Sequence, residues 1–172
     1  MKSKQLIKNP TVKNLTEFAR KHTAKFLEKL DKVPSIFWCV GDQGVKALES
    51  PPLLTYDNSV LFEYRCKQLC IAEAAKATIV ADACEALTDI KPTQCVAITV
   101  EIPGLQIISL YSILRDKTGK PKMGKLLEAP TVVHVCQFDQ LLPIGIPTPA
   151  ERIQALTDFA EAPRHHRNRL FQ

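Results

Sequence analysis

Glycine is scarce in this sequence, with six in 172 residues. Neither G-x-G-x-x-G nor G-x-x-x-x-G-K-[ST] occurs, and Gly41-x-x-Gly44 is too short for a phosphate cradle. Nucleotide chemistry of the phosphate-loop kind is therefore excluded as a reading. Aromatics are also few, at 6%. That disfavours a base-stacking platform, because most of them fall within apolar runs that read as core. No fixed-period repeat and no low-complexity tract is present. The basic N-terminal stretch MKSKQLIKNP is not followed by an apolar core of signal-peptide length. One nearly uncharged run, Cys95 to Leu114, has the length of a membrane span. Pro103-Gly104 near its middle, and the β-branched residues on both sides, make it two strands and a turn instead. No membrane association is expected.

What is present belongs to a globular chain: 45% hydrophobic and 24% charged residues. The net charge of +5 is unevenly spread. Residues 1–33 carry nine Lys/Arg against three Asp/Glu, residues 34–111 carry five against nine, and residues 112–129 carry five against two. The six cysteines lie largely inside apolar runs. Reduced, buried thiols in a cytoplasmic protein account for them better than a disulfide framework.

The expected fold is α+β: a mixed, largely antiparallel sheet of about five to seven strands, with helices packed on one face and a C-terminal helix. One domain spans 11–162, between a loose N-terminus (1–10) and a basic tail (163–172) expected to be mobile. Apolar steps of three and four from Leu15 to Val33 predict an amphipathic helix over 11–32, with lysines and an arginine outside. Ser35 to Val40 reads as a buried strand, and Val45 to Glu49 as its return. A second helix is predicted over 57–76, and a strand over 78–84. Pro103-Gly104 suits the centre of a type II turn. If Ile102 faces Leu105, then Val96, Val100 and Ile102 share a side with Leu105, Ile107 and Tyr111. Short strands follow at 122–128 and 131–138. Thr148-Pro149-Ala150-Glu151 matches a capping box with Pro at the first helical position. The helix it opens is expected to turn Ile153, Leu156 and Phe159 inward.

Three groups of residues are candidates for chemistry. In Ile79–Glu85, "IVADACE", Cys84 stands at a strand end with Asp82 on the same side. A nucleophilic thiol needs a base, and His134 on a later strand is the candidate. No nucleophile motif surrounds Cys84, so a half-buried thiol beside solvated acids is the plainer reading. Cys66 and Cys70 share a helix face, and His134 and Cys136 share a strand face. Together they form a Cys₃His set, although Cys-x₃-Cys in an Ala-rich helix is more simply core. No cofactor is expected. Finally, Lys21 and Lys25 on the first helix, and Lys117, Lys120 and Lys122 around a hairpin, would bind phosphates if they converged. Solvated lysines that keep the domain soluble are the plainer alternative.

The segments "PSIFWCVGDQGVKAL", "ATIVADACEAL" and "CVAITVEIPGLQIISLYSILRDKTGKPKMGKL" resemble a loose group of small uncharacterised bacterial and phage α/β proteins. The shared pattern is a strand ending in an acid, here Glu85, and a hairpin with Arg115, Asp116, Gly119 and Pro121. The resemblance spans roughly residues 15–127 and implies a fold only. The function expected from the sequence is a non-catalytic binding module with a protein partner or a second copy of itself. A nucleic-acid accessory protein using helix 11–32 and hairpin 115–125 is one alternative. A thiol- or metal-dependent hydrolase is the other.

Overall fold

The computed structural model describes residues 10–30, 35–50, 56–87, 92–127, 132–133 and 140–162. Along these the elements are α1 (Val12–Leu30), β1 (Ile36–Gly41), β2 (Gly44–Glu49), α2 (Tyr56–Ala72), β3 (Ala77–Leu87), β4 (Pro92–Ile102), β5 (Leu105–Arg115), β6 (Pro121–Leu126), β7 (Val132–Val133) and α3 (Pro149–Glu161). The fold is α+β with a C-terminal helix, as expected. Six strands run in the order β2-β1-β3-β4-β5-β6, and the short β7 pairs with β3. Every described pairing is antiparallel, so the sheet is not mixed.

The β4–β5 hairpin has the register the sequence predicts. Ile102 pairs with Leu105, Val100 with Ile107 and Val96 with Tyr111. Gly104 takes the positive φ (77°) that a side chain would resist.

Helix α1 is capped by Thr11, whose Oγ1 accepts from the Asn14 N–H at 3.3 Å. Its buried stripe is Leu15, Phe18, Ala19 and Leu27. These residues meet Ile36, Trp38, Val40, Ile79, Ile98 and Val100. Helix α2 buries Phe62, Cys66, Leu69 and Cys70 against Phe37, Cys39 and Val80. The two sets alternate along β1, so α1 and α2 lie on opposite faces of the sheet, not together on one face. All six residues of β1 are buried. A strand apolar on both sides must be covered on both sides, and the unbroken run IFWCV carries that demand.

The end of α2 is tightly fitted. The Ala75 N–H reaches back to the Cys70 carbonyl at 2.8 Å, and Ala74 between them has φ of 47°. This is the left-handed closure that usually takes glycine. Arg152 Nε of α3 donates to the Ala72 carbonyl at 2.9 Å, which satisfies another acceptor at that helix end. Beneath, a Cβ on Gly41 would strike the Glu73 carbonyl.

The capping box of α3 is present: Glu151 N–H donates to Thr148 Oγ1, and the Thr148 N–H donates to the Glu151 carboxylate at 2.7 Å. Its inward face differs from the expected one. Ala155 is buried, and Phe159 packs on the α2 side of the core under the Arg65 guanidinium, 4.7 Å away. Ile153 and Leu156 are 67% and 50% exposed. Docking follows the spacing Arg152, Ala155, Phe159, Ala162, because α3 lies close on α2 and small or flat side chains fit there.

Candidate functional site

Four exposed cations stand on the outer face of α1: Lys13, Arg20, Lys21 and Lys25. They line a cleft of about 860 Å³ together with Thr16 and the buried Tyr111 of β5. Two acids, Glu17 and Glu28, also border it. The Arg20 guanidinium carbon lies 6.0 Å from the Tyr111 ring centroid. That places the ring at the edge of cation–π range and gives Arg20 an aromatic neighbour. The cleft exists because α1 crosses β3, β4 and β6 on one sheet face. Tyr111 shares that face with Val96 and Val100 through the hairpin register. Both predicted helix lysines, Lys21 and Lys25, are therefore in the cleft. Lys13 and Arg20 belong to the same basic helix face that the sequence predicts, whereas Thr16 and Tyr111 were not singled out for binding by sequence reasoning. Tyr111 was traceable in principle, since the register already put it on the Val96 side.

The hairpin lysines sit elsewhere. Asp116 organises the β5–β6 turn by accepting from the Thr118 N–H (2.8 Å), the Thr118 hydroxyl (2.6 Å) and the Lys120 N–H (3.0 Å). Arg115 Nη1 donates to the Gly119 carbonyl at 2.9 Å. The hydroxyl and N–H of Thr118 hold the Asp116 carboxyl below its ordinary range, helped by Lys120 N–H and by the Lys122 charge. Lys122 Nζ is 3.8 Å from Asp116. Lys122 pairs with Leu114, which has the parity of Leu110 and so faces away from α1. Lys117 and Lys120 are exposed in the turn itself. The structure thus joins Lys21 and Lys25, and sets Lys122 toward the other face.

The thiol candidates resolve differently. Asp82 is buried and accepts from the Ser35 hydroxyl. Cys84 lies on the same sheet face as Asp82, directly opposite Cys95 on β4. Their sulfurs are 3.2 Å apart. Burial first, then the Cys95 contact, pushes the Cys84 thiol well above its ordinary range. Burial also pushes Cys95 up. On that side of β3 the two-residue β7 pairs Val133 with Ala86 and Val132 with Leu87. His134, the next residue, lies outside the described residues, and so does Cys136.

Cys66 and Cys70 meet Cys39 within the α2-side core. Hydrogen bonding to Cys39, then burial, keeps Cys70 protonated, and burial does the same for Cys66. Among the described residues, no group of three or more His, Cys, Asp or Glu side chains is placed to hold a metal ion.

One buried acid escaped the sequence reading. Glu101, 6% exposed, accepts from the Thr78 hydroxyl (3.2 Å) and from the N–H groups of Leu141 (3.1 Å) and Leu142 (3.3 Å). It fastens the segment before α3 to the sheet. Among the described residues, no helix is long and apolar enough to cross a membrane. No family model, curated protein or solved structure matches the chain.

Proposed function

We propose that the protein is a non-catalytic cytoplasmic binding module that takes the phosphate backbone of a nucleic acid along α1. The observation that carries this is the cleft with four exposed cations, Lys13, Arg20, Lys21 and Lys25, against two acids. Phosphates suit such a row because each cation is solvated and free to displace counterions. Thr16 adds a hydroxyl to the same cleft and Tyr111 a ring. A thiol enzyme is the weaker reading. Ser35 engages Asp82, and burial keeps Cys84 and Cys95 as thiols, not thiolates.

The test is fluorescence anisotropy with a labelled duplex and a labelled single strand of mixed sequence. If about three of these cations meet phosphates, the slope of log affinity against log salt is about −2.7 for a duplex. Affinity then falls about 40-fold between 50 and 200 mM salt. Lys21→Glu with Lys25→Glu is expected to abolish binding, while Lys122→Glu leaves it nearly intact. Binding indifferent to salt and to the double substitution would dismiss the reading.

A second reading, self-association, is favoured by one observation. On α3, Ile153 and Leu156 are exposed, and Val60 and Tyr64 are exposed on the neighbouring α2. Sedimentation across a concentration series tests it, and a constant monomer mass would remove it.

A further inference from the structure

We propose that Cys84 and Cys95 are an oxidant-responsive dithiol that closes to a reversible disulfide between β3 and β4. The pair is independent of the α1 cleft: Cys84 shares the face of Asp82, and Cys95 that of Leu110, away from α1.

The geometry favours closure. Cys84 and Cys95 are direct register partners in an antiparallel pair. Such partners have Cα atoms about 4.5 or 5.5 Å apart. Both values fall within the range of about 4.4 to 6.8 Å that disulfides span. The sulfurs are 3.2 Å apart, and a bond requires about 2.05 Å. Small χ1 rotations cover the difference without moving the strands. The pair also stands apart from the other described thiols. Cys39, Cys66 and Cys70 are fully buried in the α2-side core, whereas Cys84 is only half-buried. Cys84 is therefore the point of entry and Cys95 the resolving group.

A small-molecule disulfide such as oxidised glutathione is the oxidant. Cys84 gives its proton to solvent, and its sulfur attacks one sulfur of the small disulfide. That S–S bond breaks and releases one thiolate, which takes up a proton. Cys95 then loses its proton, attacks Cys84 Sγ and expels the second small thiolate. The protein has lost two protons and two electrons, and the small disulfide has become two thiols. Burial holds both protein thiols protonated, so the exchange is slow and follows sustained oxidant exposure, not brief contact.

The experiment titrates the full chain with oxidised glutathione, quenches with acid, alkylates the remaining thiols and maps the peptides by mass. The expected result is the paired loss of two of the six thiols in one crosslinked peptide joining Cys84 to Cys95, restored by dithiothreitol. The midpoint of thermal unfolding should rise in the oxidised form. In Cys95→Ser the glutathione adduct on Cys84 should persist, because nothing displaces it. A persistent adduct on Cys84 in the wild-type chain, a crosslink from Cys84 to Cys136, or no thiol loss would each overturn the proposal. The wild-type map decides even if the variant fails to fold.

Discussion

Removing the Glu101 carboxylate should loosen one defined segment and weaken the whole fold. Three donors converge on it: the Thr78 hydroxyl and the N–H groups of Leu141 and Leu142. All three residues are buried. Glu101→Ala leaves the two amides without this acceptor, and each stranded donor costs about 1–3 kcal/mol. The Thr78 hydroxyl can rotate to another acceptor and adds little. Relief from burying a charge offsets part of the loss. The net expectation is about 3 kcal/mol. Glu101→Gln keeps one carbonyl oxygen but turns an NH₂ toward a donor, so about 1–2 kcal/mol is expected. Urea unfolding followed by circular dichroism measures both, with the midpoint moving and the slope unchanged. Hydrogen exchange at Leu141 and Leu142 should quicken more than at β4. If the alanine variant stays within about 0.5 kcal/mol of the parent, or those two amides keep their protection, the anchoring role assigned to Glu101 is wrong.

Asp116 carries a pH signature. Its folded pKa is lowered, chiefly by the Thr118 hydroxyl and N–H. Its contribution is therefore full above the unfolded value and is lost as pH falls through the folded one. Asp116→Asn should lower the urea midpoint at neutral pH and converge with the parent in acid. Ala74→Gly should raise stability by about 1 kcal/mol in the same assay, because Ala74 holds a left-handed φ. Ile153→Asp and Leu156→Asp should each stay within about 0.5 kcal/mol of the parent, since both side chains are exposed. Ala155→Asp, at a buried position, should cost several times more in parallel denaturation curves.

Some features could be read from local chemistry. The capping box and the Pro103-Gly104 turn each depend on neighbours in sequence, and so does the β4–β5 register. The placement of α1 and α2 on opposite faces was encoded in β1, where IFWCV has no polar alternation, but only if that run is read as two buried faces. The orientation of α3 was hidden. Ile153 and Leu156 look like its inner stripe, while the packing uses Ala155, Phe159 and the Arg152 guanidinium on α2. Glu101 was hidden for a related reason, because its cover is residues 141–142, a segment with no periodicity. In the α1 cleft, Lys21 and Lys25 were legible as a basic helix face. Their neighbour Tyr111 depends on α1 crossing the sheet, which no local pattern states. The hairpin lysines were grouped with them by charge alone, and strand parity separates Lys122.

The strand order bears on how the chain reaches this state. The β1–β2 hairpin and the meander from β3 to β6 pair strands that are adjacent in sequence. Each hairpin closes a short loop at low entropic cost. Among the six strands of that path, the β1–β3 seam, where Val40 meets Ala77 and Ile36 meets Ala81, is the one that must be closed across the whole of α2. The two halves can thus gain structure separately, and their joining is the slow, non-local event. Trp38 sits on that seam, paired with Ile79 on one side and packed edge-on to Phe18 of α1. The single tryptophan of the chain is thereby a built-in reporter of docking, changing its emission when the halves meet.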